Sequence, residues 1–120
     1  MKERVIIFKV EGTVMMGNKK GSELGFPTAN IVSTGLIPDG IYAGEAVRKG
    51  ITYPAAIYKD GSKDIVEAHL LDFSDNLYGE VLTIVAYHKV RDSRTFADEK
   101  ELISAISKDI EEIKKLCSQE

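Results

Sequence analysis

The sequence predicts a mainly β domain, a small antiparallel barrel or sandwich followed by a C-terminal helix. Short apolar runs, several with alternating polarity, recur along the first 90 residues, and turn-forming Gly, Pro, Asn and Asp residues separate them. After residue 100 the apolar residues recur instead at spacings of three and four. Several short strands at such spacing are typical of a small antiparallel barrel or sandwich.

Composition and length limit the classes of function. The 120 residues, 43% of them apolar, are enough for one domain, which we place at 1–120 because no linker or repeat divides the chain. A net charge of −3 gives no general attraction to nucleic acid or to anionic membranes. Cys117 is the single cysteine, and no apolar run has the length of a signal core or a membrane span. We expect a cytoplasmic monomer with neither nucleic-acid nor membrane partners.

Five strands follow from the apolar pattern. In the first of them Phe8, Val10, Gly12 and Val14 fall on one face. Pro54 lies within the third, and because proline lacks a backbone N–H it predicts an edge strand or a bulge there. The predicted strands cover residues 4–14, 41–47, 51–58, 65–72 and 81–90.

The fourth predicted strand, 65–72, carries one glutamate and one histidine among mainly apolar side chains. Its alternation places Ile65, Glu67, His69 and Leu71 on one face and Val66, Ala68 and Leu70 on the other. Glu67 is therefore a carboxylate in an apolar setting, which demands a reason. A salt bridge or a solvent-facing rim would explain it as well as catalysis would. We interpret His69 as structural.

The C-terminal segment predicts an amphipathic helix with an apolar stripe. Asp98 and Glu101 resemble a capping box at its start. We expect the stripe to pack on the barrel, with a dimer interface as the less favoured alternative, and the charged residues to form a solvated face. The stripe consists of Leu102, Ile103, Ile106, Ile110, Ile113 and Leu116.

The stretch 12–30 is too rich in glycine for a simple strand or helix. Gly17, Gly21 and Gly25 recur every four residues, and Lys19 and Lys20 add positive charge. Backbone N–H groups in such turns bind anions, so a phosphate site is one interpretation. A plain hairpin turn is the other.

Just after this loop, Pro27 favours an extended chain, in which Thr28 and Asn30 point to one side. Such an oxygen pair beside bound phosphates suits Mg²⁺, which takes few protein ligands. Turn formation alone would also explain both residues. The P-loop is excluded because Asn18-Lys19 stands where Lys-Ser/Thr is required, and the dinucleotide motif GxGxxG is absent.

These residues together resemble the riboflavin kinase family, which makes FMN from riboflavin and ATP. The glycine-spaced loop is followed in the family's order by five further matches, and the resemblance spans nearly the whole chain. The matches are LGFPTAN at 24–30, GIYAG at 40–44, VEAHLLDF at 66–73, LYG at 77–79, and Arg91-Asp92 with Phe96, before a final helix.

The resemblance implies a six-stranded antiparallel Greek-key β-barrel with a C-terminal α-helix packed on it. It also implies transfer of the γ-phosphate of ATP to the terminal hydroxyl of riboflavin, giving FMN and ADP with Mg²⁺ present. Glu67 matches the family's catalytic glutamate, which accepts the proton of the attacking hydroxyl. The remaining implied roles are nucleotide binding by Gly17, Lys19, Lys20, Gly21, Thr28, Asn30, Leu70 and Asp72, metal binding by Thr28 and Asn30, and flavin binding by Arg91, Arg94 and Phe96.

Two departures from the family pattern affect these expectations. The family's loop usually reads GxGRG, whereas Gly17 and Gly21 here enclose Asn-Lys-Lys, and the family's Asn-Pro-Thr segment before the glutamate is replaced by the unrelated residues 58–63. The adenylyltransferase module of many bacterial relatives is also missing, so we expect no conversion of FMN to FAD.

Three alternatives stay open at this point. Arg91 and Phe96 would also fit an ordinary surface loop in which Phe96 staples the helix start. The whole chain would fit a non-catalytic flavin-binding barrel derived from the kinase, or, less well given its charge, an OB-like nucleic-acid module.

Overall fold

The computed structural model describes residues 5–15, 28–33, 35–60, 63–73, 76–93 and 95–118, and these form six strands and one helix. The elements are β1 (Phe8–Thr13), β2 (Ala29–Val32), β3 (Gly40–Arg48), β4 (Ile51–Lys59), β5 (Ile65–Leu70), β6 (Val81–Arg91) and α1 (Glu99–Ser118).

The strands form one antiparallel sheet that curls into a nearly closed barrel. Their order is β1-β6-β3-β4-β5-β2. The consecutive strands β3, β4 and β5 pair as neighbours, and β6 returns to lie beside β3, which is the Greek-key arrangement. Just beyond β1, the N–H of Met15 donates to the carbonyl of Asn30 at 2.8 Å and brings the two ends of the sheet together. The predicted six-stranded Greek-key barrel is confirmed.

Alternation along the strands divides the side chains between an inner and an outer face. On β5, Val66, Ala68 and Leu70 are buried inside the barrel, while Glu67 and His69 lie on the other face, as predicted. The largest fully buried inner side chains include Tyr42, Ile31, Ile57, Leu82 and Ile84. Because residues two apart share a face, filling the barrel commits every second residue to the outside.

Helix α1 packs on the outer face through its apolar stripe. Ile113 is completely buried against Ala43, Ala56 and Leu71, and three other residues of the helix, Ile110, Leu116 and Cys117, pack against the same cluster. The predicted packing on the barrel is confirmed, although Ile103 stays partly exposed. No helix in the described part of the chain combines the length and apolar character needed to cross a membrane.

The start of α1 is capped largely as the sequence predicts. The carboxylate of Asp98 accepts the N–H of Glu101 at 2.9 Å, as an N-cap residue does. Glu101 in return accepts the N–H of Ala97 at 3.2 Å. In a standard capping box the donor would be the N-cap residue itself, Asp98, which is the next residue in the chain. The cap fixes where the chain leaves the loop after β6 and enters the helix.

The prediction that Pro54 marks an edge strand or a bulge was wrong, since the pairing of β4 with β3 runs through Pro54 without a register shift. Strand β4 lies inside the sheet, between β3 and β5. Its pairing with β5 ends at Ala55, and the carbonyl of Pro54 accepts the N–H of Leu71 from the turn beyond β5. In an antiparallel strand the N–H and C=O of one residue face the same neighbouring strand. The N–H that Pro54 lacks would therefore point toward β5, beyond the last residue pair of the β4–β5 ladder, so no ladder hydrogen bond is lost.

Two further boundaries differ from the sequence prediction. Strand β1 begins at Phe8 rather than at residue 4, and β2 was not predicted as a strand at all. Strand β2 has only four residues, too few for alternation to stand out between a proline and a Ser/Thr/Gly-rich connection. The extended geometry expected near Asn30 is nevertheless present.

Lys59, the last residue of β4, is a buried lysine that binds the backbone of the residues after the strand. It is 4% exposed, and its ammonium donates to the carbonyls of Asp60 at 2.8 Å and Lys63 at 2.7 Å. A buried ammonium must have such partners. This lysine therefore fixes the backbone of Asp60 and Lys63, which follow β4.

Gly44 allows β3 and β6 to approach closely beside a register shift in their pairing. An added Cβ would collide with the backbone oxygen of Val85 and would lie 2.7 Å from Ile57 Cδ1 and 3.0 Å from Ala86 Cα. We expect Gly44→Ala to lower the free energy of unfolding by about 2–3 kcal/mol, the usual cost of overpacking, when measured by urea denaturation.

Gly35→Ala is the matched control, because a Cβ there meets only Ser33 Oγ at 3.9 Å. It should change stability by less than about 0.5 kcal/mol. Equal stability of the two variants would contradict the close approach of β3 and β6.

Candidate active site

Five cross-strand neighbours form a row across the outer face, which we call the outer row. Asn30 on β2 pairs with Glu67 on β5, and Glu67 pairs with Tyr58 on β4. Tyr58 pairs with Ile41 on β3, and Ile41 pairs with Arg91 on β6. Directly opposed residues of antiparallel strands point to the same side of the sheet. The register therefore places a carboxylate, a phenol and a guanidinium along one line.

One end of the outer row is a group of oxygen atoms around Glu67. The hydroxyl of Thr28 donates to Glu67 Oε1 at 2.9 Å. Asn30 is 6% exposed, and its Nδ2 lies 3.5 Å from the carbonyl oxygen of Thr28, a long contact. The structure thus brings together the three residues predicted as catalytic and metal-binding: Glu67 on β5, Asn30 on β2 and Thr28 just before β2.

The chemistry of this group fits a hard cation held together with phosphates. The Thr28 hydroxyl uses its proton toward Glu67, so its lone pairs stay available, and the long Asn30 contact uses the amide nitrogen rather than the oxygen. Two neutral oxygen ligands are too few for a closed site but suit Mg²⁺ shared with a nucleotide. Among the described residues no cluster of three or more His, Cys, Asp or Glu side chains offers another metal site.

The other end of the outer row is an ion pair that joins the barrel to α1. Arg91 Nε and Nη2 each donate to one carboxylate oxygen of Asp109, both at 2.8 Å. Asp109 is 4% exposed and Arg91 23%. The guanidinium carbon also lies 5.6 Å from the centre of the Phe96 ring, within cation–π range. The pair therefore holds the plane of Arg91 beside an aromatic ring.

Tyr58 lies in the middle of the row, next to α1. Its ring packs against the cluster of Ala56, Leu71 and Ile113. Burial and then the Asp109 carboxylate raise the pKa of its hydroxyl, so that the group remains a proton donor at neutral pH. The hydroxyl oxygen is buried and has no hydrogen-bond partner, which typically costs about 1–3 kcal/mol.

The two ends are separated by three strand spacings. Neighbouring strands lie about 4.8 Å apart, so Glu67 and Arg91 are about 14 Å apart along the sheet. The curvature of a barrel shortens the direct path.

The remaining predicted site residues are not brought to this row or lie outside the described residues. Leu70 sends its side chain into the inner core, on the face opposite Glu67, and Asp72 is exposed in the turn after β5 with φ of 56°. Gly17, Lys19, Lys20, Gly21 and Arg94 lie outside the part of the chain that the structure describes. The nucleotide and flavin roles of all seven residues stay predictions.

The sequence analysis missed Asp109. The expectation that the helix charges form a solvated face was wrong for this residue, which is buried and paired with Arg91. A signal was present, because Asp109 stands four residues before Ile113 and four after the buried Ala105, in the line of the stripe. Tyr58 was also missed, since nothing in the sequence shows that the register places it beside Glu67.

Comparison with protein families identifies the chain over almost its full length. The model of the flavokinase family, described as riboflavin kinase, matches residues 6–117. The chain belongs to the riboflavin kinase family. The match includes all six strands and all but the last residue of α1, and Glu67, Thr28 and Asn30 lie within it.

Individual relatives agree. The bifunctional riboflavin kinase/FMN adenylyltransferase of Buchnera aphidicola from Schizaphis graminum is 35% identical over 119 residues, covering 90% of this chain and 38% of that protein. The chain thus spans less than two fifths of that relative's length.

Two solved structures are similar to the barrel. A riboflavin kinase from Trypanosoma brucei superposes with a TM-score of 0.66 at 24% identity, over 92% of this chain and 80% of its own. At that identity the likeness shows the fold. A protein from Streptococcus pneumoniae, titled a macrolide-efflux protein, gives a TM-score of 0.76 at 26% identity over 86% of this chain and 37% of its own.

Asp109→Asn should destabilise the barrel–helix contact. It removes the negative charge and leaves the Arg91 guanidinium without its counter-ion. Because Arg91 is partly exposed and can regain water, we expect a loss near the low end of the range for broken buried pairs, about 3 kcal/mol in the free energy of unfolding. Urea denaturation measures it.

Glu112→Gln removes a charge of the same sign from an exposed position of the same helix. It should change stability by less than about 0.5 kcal/mol. A loss of similar size in both variants would show that general helix charge, rather than the Arg91 pair, is responsible.

Proposed function

We propose that this chain is a riboflavin kinase, which transfers the γ-phosphate of ATP to the terminal hydroxyl of riboflavin and gives FMN and ADP, with Mg²⁺ required. The observation that carries the proposal is the hydrogen bond from Thr28 to Glu67, beside Asn30, in a chain of this family. It joins the family's predicted base and predicted metal ligands in one group.

Glu67 acts as the general base. The Thr28 hydroxyl bond fixes Oε1, so Oε2 is available to accept the proton of the attacking hydroxyl. Phosphoryl transfer proceeds through a loose transition state, so the base contributes by aligning the hydroxyl with the phosphorus as well as by removing its proton. A carboxylate held by a neighbour's hydroxyl meets both needs.

Thr28 and Asn30 hold the metal and, with it, the nucleotide phosphates. When bound, Mg²⁺ supplies charge neutralisation at the phosphate oxygens. The loop of Gly17, Lys19, Lys20 and Gly21 surrounds the same phosphates with N–H groups and ammonium charge; this role rests on the sequence and on the family. Leu70 would contribute only its backbone, because its side chain faces the inner core.

Arg91 and Phe96, with Arg94, bind the isoalloxazine ring. A guanidinium plane and an aromatic ring held within cation–π distance form a flat, polarisable surface of the kind that ring needs. From there the ribityl chain extends along the outer row toward Glu67. The proposed role of Glu67 as the base for the terminal hydroxyl requires this orientation.

We propose further that residues 1–120 act as one kinase-like domain and as a cytoplasmic monomer, with riboflavin and ATP as partners. The apolar stripe of α1 supports the monomer, because Ile113 and its neighbours are already covered by the barrel of the same chain. The net charge of −3 supports the absence of a nucleic-acid partner.

Purified protein incubated with riboflavin, ATP and MgCl₂ should form FMN, and Glu67→Gln should lower kcat about 10²–10⁴-fold, the size of a general-base contribution. Chromatographic separation of the flavins measures both. If the protein binds riboflavin but forms no FMN with ATP, CTP or GTP, the chain is instead a flavin-binding relative of the kinases.

Glu11→Gln is the matched control for this experiment. Glu11 lies on β1 away from the outer row and accepts a hydrogen bond from Thr83 at 2.9 Å. The kcat of the Glu11→Gln variant should equal that of the wild type within about twofold. Normal turnover by Glu67→Gln would remove Glu67 from the mechanism.

Thr28→Val tests the hydroxyl that joins the base to the metal ligands. It keeps the shape of the side chain but removes the donor to Glu67, a charge-assisted bond whose loss should lower kcat roughly 10–100-fold. The MgCl₂ concentration for half-maximal rate should rise as well. Thr28→Ser keeps the hydroxyl and should retain most of the activity; equal rates of the two variants would contradict the role.

A further inference from the structure

The Tyr58 hydroxyl is the one buried side-chain oxygen or nitrogen among the described residues that has no hydrogen-bond partner. Buried polar groups in folded proteins nearly always have partners, so an exception requires an explanation. Tyr58 also departs from the family, since it begins the segment that replaces the Asn-Pro-Thr motif. Its role is therefore a property of this chain.

Along the outer row Tyr58 has a charged residue as its direct neighbour on one side, and on the other side a second charged residue lies one strand further away. Its cross-strand neighbour on β5 is Glu67, and its neighbour on β3 is Ile41, which pairs in turn with Arg91. Asp109 also lies close enough to affect its ionisation, yet neither carboxylate accepts its proton. Tyr58 as a residue is only partly buried, although its hydroxyl is fully buried, so the side chain would have to turn for the hydroxyl to reach a ligand on the outer face.

We propose that Tyr58 recognises the polyhydroxylated chain of the acceptor, by a hydrogen bond between its hydroxyl and a ribityl hydroxyl. This inference rests on the proposed function and extends it to specificity. A ligand that runs from Arg91 to Glu67 passes Tyr58 midway, and there the ribityl carbons carry their hydroxyls. The bond satisfies the hydroxyl only when an acceptor with such a chain is bound.

The consequence is that the protein distinguishes flavins by the hydroxylated chain that they carry rather than by their ring. A site that hydrogen-bonds a substrate hydroxyl disfavours analogues that lack it, because its own polar group then stays unpaired. Flavins without a hydroxylated chain, such as lumiflavin, gain nothing from Tyr58. They should bind only through the ring contacts at Arg91 and Phe96.

Tyr58→Phe tests the proposal, with Tyr87→Phe as its matched control. The Tyr87 hydroxyl donates to Glu45 at 3.1 Å, away from the outer row. For each variant, flavin fluorescence gives the dissociation constants of riboflavin and lumiflavin, steady-state assays give kcat and KM, and urea denaturation gives the unfolding midpoint.

Tyr58→Phe should weaken riboflavin binding about three- to tenfold, the value of one neutral hydrogen bond, and leave lumiflavin binding unchanged. The KM for riboflavin should rise by the same factor while the KM for ATP stays constant. Its urea midpoint should not fall, because no bond within the protein is lost. Tyr87→Phe should show the opposite pattern, a lower midpoint with unaltered flavin binding.

Three results would overturn the proposal. They are unchanged riboflavin affinity in Tyr58→Phe, an equal loss for riboflavin and lumiflavin, and a drop in the urea midpoint like that of Tyr87→Phe, which would show an internal partner for the hydroxyl. Failure of the proposed function looks different. In that case the wild-type protein forms no FMN, and comparing the riboflavin affinities of the wild type and Tyr58→Phe still tests the role of Tyr58. If the wild-type protein binds no riboflavin, both the proposed function and the role of Tyr58 are overturned.

Discussion

The antiparallel register of the sheet is the constraint on which the site depends. A shift of one residue in any strand would turn its side chains to the opposite face. With the observed register, Ala29 and Ile31 fill the barrel while Asn30 meets Glu67 outside it. Core packing therefore enforces the geometry of the site, because restoring a displaced outer side chain would require moving its inner neighbours as well.

The ion pair between Arg91 and Asp109 gives the outer row its second fixed point. Strand β6 supplies the guanidinium and α1 supplies the carboxylate, so the helix is tied to the sheet at the end of the row opposite Glu67. A bidentate pair also sets the orientation of the guanidinium plane, which a single contact would not. The helix thus serves both to cover the apolar outer patch around Ile113 and to orient Arg91 beside Phe96.

Sequence reasoning recovers what depends on local periodicity and misses what depends on pairing. The alternation of β5 placed Glu67 on the correct face, and the spacing of Ile110 and Ile113 predicted the packed side of α1. The prediction failed at Pro54, because edge or interior position is decided by where the partner strand ends. It failed at Asp109 because a buried charge is recognisable only when its partner, distant in sequence, is known.

The same limit explains the functional site. The residue pattern placed Thr28 and Asn30 on one side and the family resemblance pointed to Glu67, but their proximity to Glu67 follows from the pairing of β2 with β5. Tyr58 lies beside Glu67 for the same reason, through the pairing of β4 with β5.

A crystal structure of the protein with riboflavin, ADP and Mg²⁺ would test the central claim most directly, namely that one row of the outer face binds both substrates. We expect the terminal ribityl oxygen within about 2.6–3.2 Å of the Glu67 carboxylate, the reach of a general base, and the isoalloxazine ring against Arg91 and Phe96. A flavin bound elsewhere, or bound with its ring toward Glu67, would contradict it.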